Sequence, residues 1–137
     1  MAEGDAPLPA EIAAVLEAPN PAVISTVHPD GYPVTVSTWY LLEDDRNLLL
    51  SIDATGARGD RLDHLRKNPH LCITVLPERN WLNYVSVQGH VVGFEDDHDL
   101  AAIDGMSRHY IGQPYARRRP RVCARVVIDS WHSHQVA

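Results

Sequence analysis

The sequence predicts a mainly β domain with flanking α-helices, in which six antiparallel strands form a small, closed or partly closed barrel. Segments rich in β-branched residues are separated by short polar turns, and three helical patterns lie before or between them. The last two strand segments are long and bounded by bends, which fits a curved sheet better than a flat one. The length of 137 residues allows a single domain, 1–137, and we expect residues 1–8 to be flexible.

The first half of the chain is expected to contain one helix and a meander of three strands. The helix covers residues 10–18, where apolar residues recur at helical spacing, and it ends before Pro19. The turn sequence Pro29-Asp30-Gly31 lies between two β-branched runs and predicts a hairpin. The three strands are expected at residues 22–28, 33–42 and 47–53.

The second half is expected to alternate helices and strands. A short helix over 60–68 ends before Pro69, and a longer helix follows the acidic run 96–99 and ends at Gly112. Gly89 and Gly93 predict bends or bulges within a long strand. The remaining strands are expected at residues 70–76, 81–95 and 122–131.

Composition excludes several classes of protein. Eighteen acids against twelve bases give a net charge of −6, which argues against a nucleic-acid binder. No apolar run is long enough to cross a bilayer, and the N-terminal residues lack the pattern of a signal peptide, so we expect no membrane partner. Cys72 and Cys123 lie in strand-like segments and are interpreted as reduced core thiols. These observations favour a cytoplasmic protein.

The positive charge is almost entirely arginine, since Lys67 is the only lysine among the twelve bases. Arginine suits bidentate contacts with anions, although GC-rich coding bias explains the excess equally well. Position is more informative. In the stretch 51–69 a strand ends, a loop of small residues follows, and a helix begins near Arg58 and Arg61. Amide groups at a helix start together with guanidinium groups can bind a phosphate. The alternative is a solvated helix start, with Arg61 paired to Asp60 or to nearby acids.

The chain resembles the split β-barrel flavin and deazaflavin oxidoreductases of the pyridoxamine 5'-phosphate oxidase-like superfamily. It is most similar to the actinobacterial branch that uses coenzyme F420. The resemblance lies in the order and spacing of four segments that cover most of residues 20–130. The matching segments are AVISTVHPDGYPVTVSTWYLL, LLSIDATGARGDRLDHLRKNP, YVSVQGHVV and RVCARVVID. The resemblance implies a six-stranded antiparallel split β-barrel with flanking helices, of the FMN-binding type.

The resemblance also implies a set of cofactor-binding residues. The basic residue shortly before Asn68-Pro69 contacts the cofactor phosphate in the family, which implies this role for Arg61 and, less clearly, for Arg58. The second and third strands form the wall against the tricyclic ring, and Thr55 could donate to the phosphate. The implied wall residues are Ser37, Trp39, Ser51 and Ile52. The arginine and serine signatures of the oxidase branch are missing, which disfavours pyridoxamine-phosphate oxidase activity.

Several of these residues have a structural interpretation as well. Without the resemblance, barrel packing would be the favoured role of Trp39. Trp81 is expected to begin a strand, where it is a core anchor, an interface residue or a pocket wall. The densest cluster of charge could hold the anionic oligoglutamate tail of a deazaflavin, although a solvated loop is the default interpretation and nucleic acid a third, disfavoured one. This cluster consists of Arg117, Arg118, Arg119 and Arg121.

The histidines and acids do not predict a metal site. His132 and His134 form an H-x-H pattern, but no dispersed set of three or four ligands accompanies it. The acidic run 96–99 is better explained as the N-terminal region of a helix. The sequence assigns no acid–base role to His28, His64 or His109. Nucleophile-elbow, Walker and Rossmann patterns are also missing.

Three functions therefore remain, with a structural or interaction module as the residual option. The first is an F420-dependent oxidoreductase, a homodimer with the cofactor in a groove at the subunit interface, which transfers a hydride from reduced deazaflavin to an electron-poor, conjugated small molecule. The second is an FMN-dependent reductase of the same fold. The third is a non-catalytic carrier of a flavin, a deazaflavin or haem. The catalytic residues and the substrate are unknown, and the proton comes from solvent or from an unidentified polar group.

Overall fold

The computed structural model describes residues 7–55 and 60–134. Most of the N-terminal stretch expected to be flexible, and Arg58, lie outside the described residues. The helices are α1 (Ala10–Glu17), α2 (Asp60–Lys67) and α3 (Ala101–Ile111). The strands are β1 (Ala22–Val27), β2 (Pro33–Thr38), β3 (Leu41–Leu42), β4 (Asn47–Asp53), β5 (His70–Val75), β6 (Val85–Asp96) and β7 (Arg121–Ser133).

All strands belong to one antiparallel sheet with the order β2-β1-β5-β6-β7-β4-β3. The sheet curls into a half-barrel, which confirms the predicted fold class. Apolar side chains that alternate along the strands fill its interior, where Ile24, Leu50, Ile73 and Val87 are fully buried. Helix α1 packs Ile12 and Leu16 against the same core.

The strand count differs from the prediction because the expected strand 33–42 is interrupted at Trp39 and Tyr40. Tyr40 is buried in the core, where its hydroxyl donates a 2.7 Å hydrogen bond to the carbonyl of Leu16 in α1. The interruption lets the chain leave β2 at one edge of the sheet and join β4 at the other as β3. The described part of the chain therefore contains seven strands, of which β3 is very short.

Turn and bulge predictions are confirmed. The amide of His28 donates to the carbonyl of Tyr32 at 2.9 Å, and Gly31 has a φ of 94°, which closes the hairpin between β1 and β2. The register of β6 against β7 shifts at Gln88/Gly89 and at Val91/Gly93. At Gly89 an added Cβ would lie 2.6 Å from a backbone oxygen of β7, so only glycine fits this bulge.

Helix α3 is fixed at both ends. The carboxylate of Asp97 accepts hydrogen bonds from the amides of Ala102 and Ile103 at 3.2 and 3.1 Å, as expected for an acidic run before a helix. Gly112, with a φ of 74°, ends the helix. Trp81 was expected to begin a strand, but it lies in a short 3-10 helix, and β6 begins only at Val85. Within residues 7–55 and 60–134, no helix is both long and apolar enough to span a membrane.

Candidate functional site

A groove with a volume of about 1160 Å³ lies at the edge of the curled sheet that ends in β2. Its floor includes β1 and the exposed edge strand β2, and its walls come from α2, α3 and the first residue of β7. Apolar side chains from β2 and α3 line it together with a small number of charged and hydroxyl groups. This combination of a concave apolar surface and a few polar groups is typical of a small-molecule site.

Two arginine side chains converge in this groove on Ser51. Arg121 donates from Nε to the Ser51 hydroxyl at 2.7 Å and from Nη2 to the Ser51 carbonyl at 3.1 Å. Arg61 donates from Nη2 to the same carbonyl at 3.4 Å and from Nη1 to the Thr38 hydroxyl at 3.3 Å. These contacts fix both guanidinium groups and leave further N–H groups on each of them.

The local sequence explains this convergence. Arg61 lies in the first turn of α2, and α2 packs against β1 and β4. Antiparallel pairing of β4 with β7 places Asp53 opposite Arg121, so the arginine at the start of β7 lies beside Ser51 near the end of β4. Arg121 is further fixed over the ring of Tyr115, with its guanidinium carbon 5.2 Å from the ring centroid.

The two arginines have no carboxylate partner within 4.0 Å among the described residues. The alternative pairing of Arg61 with Asp60 involves a side chain outside the described part. Burial, together with the positive charge of Arg121, lowers the pKa of the Arg61 guanidinium. The nearby Asp53 carboxylate interacts with Arg121 only over a longer distance, since the charge of Arg121 contributes to lowering the pKa of Asp53. Two fixed, adjacent positive charges without a carboxylate in direct contact among the described residues form a site into which an anion such as a phosphate fits.

The groove is bordered near these arginines by aromatic rings. Trp39 stacks on Tyr110 of α3, with ring centroids 5.3 Å apart and planes 8° apart, and it meets Tyr115 edge-on at 5.8 Å. The Tyr110 hydroxyl is buried without a hydrogen-bond partner among the described residues, and burial raises its pKa. Trp39 thus connects β2 to α3 and forms part of the groove lining, so its packing and wall interpretations both apply.

Asp104 of α3 holds the loop that precedes β7. Its carboxylate accepts a hydrogen bond from the amide of Tyr115 at 3.0 Å and one from Arg118 Nη1 at 2.7 Å. The hydrogen bond and charge of Arg118 lower the pKa of this carboxyl below its ordinary value. The Arg118 side chain therefore binds α3, whereas Arg117, one residue earlier in the loop, lines the groove.

Only some of the residues that the resemblance implies lie in the groove. The members that line the groove are Ser37, Trp39, Ser51, Arg61, Arg117 and Arg121. Five others do not line it, namely Arg118, which binds Asp104 as described above, and four more. Ile52 is 1% exposed in the barrel core, and the Thr55 hydroxyl donates to the Asp53 carboxylate at 2.7 Å. Trp81 is 65% exposed away from the groove, and Arg119 lies 3.8 Å from the Asp53 carboxylate.

Sequence reasoning missed other lining residues, notably His64, Tyr110 and Tyr115. The signal for His64 was its spacing, because it follows Arg61 by one helical turn and so shares a face of the helix with it. The role of Tyr115 had no comparable signal, because it depends on how Asp104 holds the loop. In the described residues, no three His, Cys, Asp or Glu side chains gather as metal ligands would.

The curled antiparallel sheet with a groove outside it has the architecture of the split β-barrel proteins. The profile of the pyridoxamine 5'-phosphate oxidase family matches residues 8–135, nearly the whole chain. The chain belongs to this family. No curated protein sequence matches the chain significantly.

Solved structures share this fold over most of their length. An F420 reductase is 23% identical, with a TM-score of 0.80 over 91% of this chain and 98% of that one. General Stress Protein 26 from Bacillus anthracis is 17% identical, with a TM-score of 0.67 over 93% of each chain. HupZ from Group A Streptococcus is 15% identical, with a TM-score of 0.64 over 95% of this chain and 97% of that one. At these identities the similarity establishes the fold.

Proposed function

We propose that the groove binds coenzyme F420 and that the protein is an F420-dependent reductase acting on an electron-poor, conjugated small molecule. The observation that carries the proposal is the convergence of Arg61 and Arg121 on Ser51 without a carboxylate partner among the described residues. The structural similarity to an F420 reductase favours a deazaflavin as the ligand. Family membership supports a flavin-type cofactor more generally.

Arg61 and Arg121 would hold the cofactor phosphate, and Thr38 and Ser37 offer hydroxyl groups beside it. Trp39 and the apolar side chains of β2 and α3 would pack against the tricyclic ring and exclude water from it. When bound, the reduced deazaflavin supplies a hydride to an electron-poor double bond of the substrate. The protein contributes orientation and a dry surface, so no nucleophile or carboxylate pair is required.

The site would be completed by a second copy of the chain. Strand β2 is an edge strand whose residues 33–37 are all exposed, and Val34 and Val36 on it line the groove. Ile111, at the groove, is 57% exposed, and Tyr32 next to β2 is 74% exposed. An apolar, unpaired edge of this kind is usually covered in a stable protein. We therefore expect a homodimer in light scattering, and Tyr32→Glu should shift it toward the monomer.

An FMN-dependent reductase is the second candidate. FMN carries a terminal phosphate, which the two arginines could hold, but it lacks an oligoglutamate tail that would need Arg117. A carrier that binds a flavin, deazaflavin or haem without turnover is the third candidate. Cys72 and Cys123 are both free thiols, which suits a reducing compartment such as the cytoplasm.

Titration calorimetry with F420 and with FMN tests the proposal. We expect micromolar binding of F420 to the wild-type protein and at least about tenfold weaker binding to Arg61→Ala, a loss of about 1.4 kcal/mol. Arg66→Ala is the matched control, because Arg66 lies on the same helix, with its guanidinium carbon 5.5 Å from the Phe94 ring centroid, and does not line the groove. It should bind as the wild type does.

The outcomes separate the candidates. Equal affinities of Arg61→Ala and wild type would remove Arg61 from the site. Tighter binding of FMN than of F420 would favour the FMN-dependent enzyme. Tight F420 binding without oxidation of the reduced cofactor by any of a panel of enones, quinones and nitro compounds would favour the carrier.

A further inference from the structure

A second polar cluster lies in the groove, beside the hairpin end of β1. It consists of Thr26 on β1, His28 directly after that strand, and His64 on α2. His64 is only 6% exposed, and its Nδ1 lies 3.5 Å from the Thr26 hydroxyl. Its ring meets the ring of His28 edge-on, with centroids 5.1 Å apart. No group in the described part of the chain forms a hydrogen bond with His64 Nε2.

This cluster is distinct from the paired arginines. Antiparallel pairing places Ala22 opposite Thr38 and Thr26 opposite Val34, so the two ends of β2 flank different polar groups. Arg61 contacts Thr38 at one end, and His64, one helical turn further along α2, contacts Thr26 toward the other. The apolar side chains of Val34 and Val36 line the groove with them.

The charges of the groove are opposite in sign to the net charge of the protein. The chain carries a net charge of −6, yet three arginines and two histidines line the groove against two carboxylates. Of these two carboxylates, that of Asp53 already accepts hydrogen bonds from the amide and the hydroxyl of Thr55 at 2.8 and 2.7 Å. The three arginines therefore attract anions to the groove.

We propose that His64, together with Thr26 and His28, forms a second anion-binding subsite, which takes a carboxylate or phosphate group of an elongated ligand whose first anionic group is held by Arg61 and Arg121. This inference rests on the proposed function, because it assumes that the groove binds an anionic cofactor. It selects a class of ligand with two separated anionic groups. F420, with a phosphodiester and glutamate carboxylates, belongs to this class, whereas FMN has a single phosphate.

The subsite makes ligand binding depend on pH. Histidine side chains ordinarily change charge near pH 6.5, and only the protonated imidazole attracts an anion. On its own helix, His64 lies one turn after Arg61 and one turn before Lys67, which pairs with Asp63 at 3.0 Å, and the side chain of Asp60 lies outside the described part. Opposite the helix, His28 follows β1, and its Nδ1 lies 2.8 Å from the Asp30 carboxylate. Binding should therefore be strongest when His64 is charged at low pH and should weaken as the pH rises and the proton is lost.

Proton NMR of the wild-type protein tests the subsite directly. The His64 resonances are followed from about pH 5.0 to about pH 8.5, without ligand and with saturating F420, a range that brackets the ordinary histidine pKa of about 6.5. By linkage, an anion that prefers the charged imidazole must raise its titration midpoint. We expect a rise of about one pH unit, equivalent to about tenfold tighter binding of the ligand to the protonated form.

Calorimetry supplies the second measurement. His64→Gln should bind F420 about tenfold more weakly than wild type at low pH and equally well at high pH. His98→Gln, which changes an exposed histidine outside the groove, is the matched control and should keep the wild-type profile. If His64→Gln does not fold, the NMR titration of the wild type still decides.

The subsite and the proposed function can fail separately. An unchanged His64 midpoint in a protein that binds F420 through Arg61 would overturn the subsite and leave the proposed function intact. A wild-type protein that binds neither F420 nor FMN would remove both.

Discussion

Four arginines of this chain form two groups that differ in their partners. Arg118 and Arg125 are exposed, and each forms a short ion pair, with Asp104 at 2.7 Å and with Glu43 at 2.6 Å. Arg61 and Arg121 are half-buried, contact the same serine, and have no carboxylate within 4.0 Å among the described residues. The first group has its charge neutralised by direct ion pairs, whereas the second has no such direct partner in the described part of the chain, as the proposed anion site requires.

This difference has a cost in stability. Exposed ion pairs contribute little to folding, but they also place no charge in an unfavourable environment. Two like charges held together beneath a protein surface disfavour each other, as the lowered pKa of Arg61 indicates. A fold that retains such a pair at its own expense resembles other functional sites, where binding and stability oppose each other.

The largest effect is expected when both half-buried arginines lose their charge. The double variant Arg61→Met/Arg121→Met should bind F420 at least about 100-fold more weakly, because each charge-assisted contact contributes roughly 1.5 kcal/mol or more. Its thermal midpoint should not fall, since the repulsion between the two charges is removed. A fall of more than about 5 °C would show that the pair is needed for folding and would contradict the difference in stability inferred for the two groups of arginines.

A smaller effect is expected from Asp104→Asn. Loss of the carboxylate weakens the ion pair with Arg118 and the hydrogen bond from the Tyr115 amide, so the loop no longer fixes the ring over which Arg121 lies. We expect F420 affinity to fall about three- to tenfold in calorimetry, within the usual range of a lost hydrogen bond. Arg118→Ala removes one contact and leaves the carboxylate, and it should have the weaker effect. Equal effects would mean that the ion pair alone positions the loop.

The Asp104 carboxylate should also make the position of the loop before β7 sensitive to acid. The pKa of Asp104 is lowered in the folded protein. Its contribution to the stability of the fold is therefore complete above the ordinary pKa of 3.8 and is lost as the pH falls through the lower folded value. Tryptophan fluorescence of Trp39, which meets Tyr115 edge-on, should be constant between about pH 5 and 8 and should change below about pH 4. Trp39→Phe identifies the part of the signal that comes from this ring.

Arg117 should have a modest effect that depends on the ligand. It lines the groove without an ion pair among the described residues, so Arg117→Ala should weaken F420, with its anionic tail, about threefold and leave FMN unchanged. This difference should diminish at high salt, where exposed charges are screened. The same loss for FMN would place Arg117 at the phosphate and not at the tail.

The smallest effect is expected at Arg125. Its ion pair with Glu43 is exposed, and neither residue lines the groove. Arg125→Ala should change neither F420 affinity nor the thermal midpoint beyond measurement error. A measurable loss of affinity would mean that long-range charge, and not fixed position, controls binding.

The sequence was sufficient to predict elements whose signals are local. The turn at Pro29-Asp30-Gly31, the helix that ends before Pro69 and the bulge at Gly89 each depend on a few neighbouring residues. The break at Trp39 and Tyr40 could not be predicted, because both side chains leave the strand pattern to reach helices distant in sequence. Propensity favours a continuous strand there, and tertiary contacts override it.

The same reasoning explains which parts of the site were predictable. Arg61 was identifiable from its place at a helix start, and its role in binding stays a prediction. Within the arginine cluster, sequence could not separate Arg118 from Arg121, because the difference depends on Asp104 and Ser51, which lie 14 and 70 residues away respectively. Identical side chains three positions apart thus acquire different contacts from their distant partners.

The pairing of β4 with β7 has a further consequence for the dynamics of the protein. Arg121 reaches Ser51 only when these two strands, distant in sequence, are in register. A ligand that bridges Arg61 and Arg121 would therefore bind only molecules in which this part of the sheet is closed. Such a ligand should slow the hydrogen exchange of the amides of β4 and β7 together. A small molecule bound in the groove would then report on the separation of these two strands.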